Sequence, residues 1–434
     1  MATAWAIDNL AEPSPPQSDP KADLLRLRRF CRAPGFHEDT AELTRAMKEL
    51  ALIAPRLGDS KLRITAAAVA DAPYDVEALR ALGWTLGDRG LFDLASAVLS
   101  RANGLAPGSA SILTELAVAL EADGRSDRAV AALESEPGVL ASSFLCRHLL
   151  ARSAVMVRQL SQARALAYAQ LPSDEIEERM AHRVHQMIDR ADAALDAEGL
   201  DDDDLRGWHF VITGVLLLHL SPVGYDHGMQ GRYGFMIDSY ERIHHCLLRL
   251  RPALGGLGFH PDRVMVPDDP SSLGLGMAAA RMLRLPLARL DDGPGLIVVY
   301  DAARLHDDVV QRLAHRSPGQ VLYAHATCWA EPSIAPDLTG ILYQGNIAPW
   351  DTRTRNFDLT APPSRRGAVS ALPGEVADRV MMAPGCRDHP HAPHDSDDDV
   401  LALCLAARPI FAFDDLDERT WMPRTGRTAD SDLL

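Results

Sequence analysis

The first half of the chain repeats itself at intervals of 34 residues, and this period restricts the fold more than any other feature. Ala95, Ala129 and Ala163 share the interval, as do Gly90 and Gly124. So do the pairs Leu79/Leu113, Leu82/Leu116, Leu86/Leu120, Leu99/Leu133, Ala68/Ala102 and Pro73/Pro107. A repeat of this length is one supersecondary unit that cannot bury its apolar face alone, so it must stack on its neighbours. Within a unit the leucines fall at helical spacing and form one stripe. Ala95 and Gly83 are small where two helices of a unit cross closely. Gly90 sits in the turn between them, where a positive φ is cheap for glycine. Pro107 closes the second helix.

This pattern resembles the tetratricopeptide repeat family. The 76–109 unit, VEALRALGWTLGDRGLFDLASAVLSRANGLAPGS, is the clearest copy. The 110–143 unit keeps the pattern in its first helix but carries Glu136 at a customarily small position. The 144–177 unit is degenerate, and the 42–75 unit matches mainly in its second half. The resemblance spans residues 42–177 and implies stacked helical hairpins whose first helices line a groove for a protein or peptide partner. By repeat phase the inward residues are Glu77, Arg80, Trp84 and Asp88, then Thr114, Val118 and Glu121, then His148 and Arg152. Ser111, Ala122, Leu145 and Met156 accompany them. The Lys/Asn set with which some members clamp a chain terminus is not at these positions, so recognition would rest on Trp84, Arg80 and Arg152 over an apolar floor. Residues 174–198 are expected to cap the array. There Asp174 and Glu177 suit a capping box, and Ile176, Met180, Val184, Met187, Ile188, Ala191 and Leu195 form a stripe.

After Asp201–Asp204 the composition changes. Apolar, β-branched runs such as RVMV, LIVVY and VLYAHATCW alternate with helical periodicity. Near-continuous apolar strands between helices indicate a parallel sheet covered on both faces. The expected organisation is a flexible lead-in over 1–37 and a tetratricopeptide-like helical solenoid over 38–200. A three-layer α/β domain with a mainly parallel sheet follows over 205–360, then an irregular segment over 361–434. The run Trp208–Leu220 is too short to span a membrane, which takes roughly 20 residues, and reads as a buried strand or core helix.

Ligands of such sheets bind beyond the carboxyl ends of the strands. Those ends carry Asp268, Asp269, Ser271, Ser272 and Asp301. The order VMVPDDPSSLGLGMAAARMLRLPLARL, then GLIVVYDAARLHDDVVQRL, is similar to the core of the type I phosphoribosyltransferases. That resemblance implies a nucleotide-like or sugar-phosphate substrate. Where the family has two adjacent acids and a Thr/Gly-rich turn, this chain has Tyr300-Asp301 followed by Ala302, Ala303, Arg304 and Leu305. The glycine-rich stretch 226–234 precedes a helical pattern and could add Arg232 to an anion site. Gly274-x-Gly276-x-x-Ala279 falls inside a helical pattern, so its small residues are expected to pack helix on sheet.

The remaining features exclude classes of function. A net charge of −16 argues against binding a phosphate backbone. Six scattered cysteines, none in a CxxC pair, suit reduced thiols of a cytoplasmic protein. His389, His391 and His394 beside Asp395 lie among prolines and read as a solvated loop. No catalytic group, resident metal or cofactor is singled out. The sequence therefore supports a cytoplasmic interaction protein, with an enzyme acting through the α/β domain as the alternative.

Overall fold

The computed structural model describes residues 19–33, 35–197, 199–223, 229–290, 293–330, 333–351, 371–384 and 394–411. The chain divides into two compact units, 1–181 and 182–434. The division falls within the helix Glu175–Ala197 rather than near residue 200.

In the first unit the sequence period becomes a period of helices. First helices begin at Val76, Ala110 and Phe144, and second helices at Phe92, Ser126 and Leu160, so both series advance by 34 residues. Consecutive helices pack against each other. Leu79, Leu82, Leu86, Leu94, Ala95, Val98 and Leu99 are all buried in one continuous apolar cluster. Each fully buried leucine contributes about 1.5–3 kcal/mol. Gly83 is required at its crossing, because a Cβ there would stand 2.6 Å from Leu99 Cγ. Asp75 caps Val76–Gly87 by accepting from the N–H groups of Glu77 and Ala78.

The helix-to-helix turns share one backbone device. Gly90 and Gly124 take φ of +70° and +75°, and Arg158, in the same place of the third repeat, takes +68°. The expected flexible lead-in contains a helix, Pro20–Cys31, that buries Leu27 and Cys31. Its arginines explain the order: Arg28 and Arg32 pair with the buried Asp93 at 2.9 and 3.3 Å.

The second unit is built on a parallel sheet. Its strands are β1 (Leu216–Leu217), β2 (Tyr233–Ile237), β3 (Val264–Val266), β4 (Leu287–Arg289), β5 (Gly295–Asp301), β6 (Gln320–Cys328) and β7 (Leu338–Ile347). Their order is β1-β7-β6-β5-β3-β4, and β2 also pairs with β7. β1 meets the start of β7 (Leu216 opposite Leu338) and β2 its end (Tyr233 opposite Tyr343), so one edge strand is interrupted by an excursion. Every residue of β5 and β6 is buried. Val309, Val310 and Leu313 of helix Asp307–Ala314 cover Ile297, Val299 and Leu322 on one face. On the other, Gly276 of helix Pro270–Leu283 leaves room for Val266 of the sheet, as expected, whereas Gly274 leaves room for Val376 of helix Pro373–Met382 and so packs helix on helix.

Several sequence expectations are corrected. The run from Trp208 is split between helix Leu205–Thr213 and β1. The stretch before helix Tyr240–Gly256 is β2, not loop and helix, and β7 follows β6 without having been foreseen. The segment expected to be irregular contains helices Pro373–Met382 and Asp397–Ala407. Of the cap stripe, Val184, Met187, Ile188 and Ala191 are buried, whereas Ile176 and Leu195 are exposed.

Gly90 and Gly104 separate backbone conformation from packing, since a Cβ at either would meet nothing within 4 Å. Gly90→Ala is expected to cost about 1 kcal/mol because its φ is left-handed. Gly104→Ala, within helix Phe92–Leu105, should gain up to about 1 kcal/mol. Urea denaturation of the two variants checks this; equal shifts would contradict the turn geometry.

Candidate functional site

Of the residues that repeat phase assigned to a common face, Glu77, Trp84, Asp88 and Val118 are exposed, whereas Glu121 and His148 are buried. Trp84 and Val118, one period apart, are 59% and 43% exposed, and Leu145 is 39% exposed. Glu77 and Asp88 are exposed beside Trp84 on the same helix face. The remaining charges are engaged between repeats. Arg80 donates through Nη2 and Nε to Glu115 Oε1 at 2.7 and 2.9 Å. Arg152 Nη2 donates to Glu121 Oε2 at 2.6 Å. Thr114 Oγ1 lies 3.4 Å from Cys146 Sγ, and His148 is buried and stacks on Phe144. The expected anchors Arg80 and Arg152 thus stiffen the face, whereas Trp84 projects from it. Ala122 is half-buried.

In the second unit the strand order turns between β3 and β5, with β4 on one side and β6 and β7 on the other. Such a switch point is where open parallel sheets form a crevice. Asp268, Asp269, Ser271, Ser272 and Asp301 all stand there, following β3 or ending β5. Arg232 does not join them; it opens β2, separated from β5 by β7 and β6, with its guanidinium 5.7 Å from the Trp329 ring centre.

The side chains at this point bond to one another. Trp350, 2% exposed, donates from Nε1 to Ser271 Oγ at 2.9 Å and packs with its ring centre 4.7 Å from that of Tyr300. Ser272 Oγ accepts from the Tyr300 amide at 3.1 Å, and Asp269 caps helix Pro270–Leu283 by accepting from Ser272 N at 2.7 Å. Asp301 is buried and accepts from Tyr343 OH at 2.7 Å, while Arg304 Nε lies 3.1 Å from its other oxygen. Burial raises the Asp301 carboxyl above the usual range, and Arg304 and Tyr343 only partly offset it. Asp268 alone of this group is exposed.

A row of polar groups that sequence reasoning missed crosses the sheet beside this point. Asp238, just after β2, accepts from His325 Nε2 at 2.9 Å and Tyr300 OH at 3.0 Å through Oδ2. Its Oδ1 accepts from Ser239 N and Arg242 Nη1 at 2.8 and 3.0 Å. Asn346 Nδ2 donates to Tyr300 OH at 3.2 Å. Burial pushes the Asp238 carboxyl up, but His325 and Arg242 outweigh it and hold it below its ordinary value. Gly340 makes the row possible, since a Cβ there would lie 2.9 Å from His325 Nδ1. A histidine in an apolar strand opposite a glycine was the available signal.

A second buried cluster sits at the end of β1. Asp395 Oδ1 accepts from Arg206 Nη2 and Arg249 Nη1, both at 2.6 Å, and His219 Nδ1 lies 3.1 Å from Oδ2. Arg206 Nε and Arg249 Nη1 also donate to the carbonyls of Leu217 and Leu218, each at 2.7 Å. Asp395 was expected in a solvated loop and is instead 5% exposed. Of the histidines placed there, His394 pairs with Asp201 at 3.1 Å, and His389 and His391 lie outside the described residues. Among the described residues no three metal-capable side chains come together, and no helix is long and apolar enough to cross a membrane.

No protein-family model and no curated protein matches the chain. Among solved structures, a mutant of the Thermobaculum terrenum O-GlcNAc transferase is similar at 19% identity with a TM-score of 0.21. That alignment covers 70% of this chain and 57% of the other. A score so low carries no statement about shared architecture or activity.

Two outcomes follow from the buried charges. Asp395→Asn removes the carboxylate that Arg206 pairs with and leaves Arg249 only Asp397, and should cost about 3–5 kcal/mol, read as a fall in the urea midpoint. A loss under 1 kcal/mol would show the cluster to be solvated. The second concerns His209, 6% exposed, whose imidazole is dropped from 6.5 to about 3 by burial, with Arg232 adding to the fall. A base whose folded value lies below its unfolded value weakens the folded state as pH falls from 6.5 toward 3. The slope for one such group is about 1.4 kcal/mol per pH unit. Burial lowers His219 as well, and His245 to about 4, adding slope of the same sign. Asp395, held low by its partners despite burial, titrates beneath this window. His209→Gln should therefore flatten the dependence of stability between pH 7 and 5 by one proton, measured by urea melts; an unchanged slope would exclude this group.

Proposed function

We propose that the protein is a cytoplasmic interaction module, a tetratricopeptide-like solenoid whose first-helix face receives a protein or peptide partner. The observation that carries this reading is Trp84, 59% exposed on the face that repeat phase assigned to recognition. An exposed indole supplies large contact area at little entropic cost and is the residue type most enriched at binding hot spots. The ion pairs Arg80–Glu115 and Arg152–Glu121 hold neighbouring first helices in register around it, which limits the ordering cost of binding.

The α/β unit would be a domain of binding or pseudo-enzymatic character. The alternative is an enzyme of phosphoribosyltransferase-like architecture acting on a nucleotide-like or sugar-phosphate substrate. It draws support from Asp268, Asp269, Ser271, Ser272 and Asp301 standing at one switch point. Against it, Trp350 bonds to Ser271, and Tyr343 and Arg304 engage Asp301.

The two readings separate on two variants. A photo-crosslinking amino acid placed at position 118 should trap a partner in cells of the source organism. Trp84→Ala should then weaken binding of that purified partner by roughly thirtyfold or more, because a hot-spot aromatic is worth about 2 kcal/mol, and Asp301→Asn should leave it unchanged. A sugar phosphate or nucleotide that raises the melting temperature of the wild type but not of Asp301→Asn would favour the enzyme.

A further inference from the structure

We infer that the Trp84 face accepts a basic segment of its partner, with an Arg or Lys side chain lying over the indole between Glu77 and Asp88. This deepens the adaptor reading and rests on it. Glu77 and Asp88 lie seven residues before and four residues after Trp84 on helix Val76–Gly87 and the residue that closes it. At 3.6 residues per turn both fall on the side of the helix that carries the indole, two turns below and one turn above. All three are exposed.

The charges around them leave an acidic excess. Arg80 is engaged chiefly by Glu115 at 2.7 Å, with Glu77 a weaker neighbour, and Arg152 by Glu121 at 2.6 Å. Arg89, next to Asp88, approaches it only at 3.4 Å and is chiefly held by Asp59, to which its Nη2 donates at 2.9 Å. An aromatic face flanked by carboxylates attracts a cation twice, through the ring quadrupole and through Coulomb's law. An acidic partner would meet two like charges at the same point. Val118 and Leu145, exposed on the following first helices, add apolar contact for residues beside the cation. The chain's net charge of −16 brings such a segment in from a distance.

The test uses the full chain and a fluorescent peptide library in four pools, with one central position fixed as Arg, Lys, Leu or Glu. The Arg and Lys pools should bind, and their best peptide should lose about tenfold or more in affinity to Trp84→Leu, which keeps an apolar side chain but removes the π face. Glu77→Lys with Asp88→Lys should abolish that binding and favour the Glu pool. All three positions are exposed, and matching melting temperatures would certify folding. Preference for the Leu or Glu pool in the wild type, with sensitivity to Trp84, would overturn the basic assignment while keeping the adaptor reading. Binding indifferent to Trp84→Leu would reduce the attraction to bulk charge and overturn the proposal. No binding by any pool would overturn both readings. Tighter binding after removal of 412–434 would place the chain's own Arg419, Arg424 and Arg427 on the face and overturn the assignment to a partner.

Discussion

The carboxylate of Asp395 sits between two guanidiniums that are themselves 3% and 5% exposed, and the α/β unit is organised around that balance. Buried ions are costly unless paired and hydrogen-bonded, and here each partner has further partners. Arg206 and Arg249 satisfy the carbonyls of Leu217 and Leu218 at the point where the edge strand breaks off into its excursion. Arg249 also reaches Asp397 at 2.7 Å, at the start of helix Asp397–Ala407. That helix is thereby held so that Cys404 packs where Gly256 has no side chain. Helix Tyr240–Gly256 is fixed in turn, and with it Asp238 and Arg242 at its other end.

From Asp238 the same logic continues across the sheet. Its carboxylate is saturated by His325, Tyr300, Arg242 and a backbone amide. A polar network in a low-dielectric interior is stabilising only when its members are satisfied, and this one is joined to the switch point through Tyr300, Ser272 and Trp350. The end of the sheet where a ligand would enter is therefore occupied by side chains that bond to one another. Asp269 serves as a helix cap, and Asp301 as an anchor for Tyr343 and Arg304. Those are the roles of these two acids within the fold.

The helical unit distributes its polar groups differently. The pairs Arg80–Glu115 and Arg152–Glu121 bridge neighbouring first helices and set their spacing; the first lies near the surface, where such a pair is worth little on its own. Exposed on that face are Trp84, Glu77 and Asp88, with Val118 and Leu145 on the following first helices. On the proposed reading, recognition and stability would be carried by different residues, and substitutions of the exposed side chains should spare the fold.

The helical half was legible because its determinants are local. A period of 34 residues, leucines at helical spacing and glycine at a turn state the helices, their boundaries and their crossings within one unit, and the structure begins its helices at that period. The apolar strands β5 and β6 were legible for the same reason, as was the packing of Gly276 on the sheet, whereas Gly274 meets a helix from a distant segment. β7, with its glycines, Gln344 and Asn346, hid its strand character because the neighbours that cover it come from distant segments. Asp395 read as solvated because proline and aspartate surround it in sequence. Only the fold brings Arg206 and Arg249 to it from 189 and 146 residues away. Whether a carboxylate is a ligand, a cap or a buried counter-ion depends on which charges fold against it, and that is decided by tertiary structure.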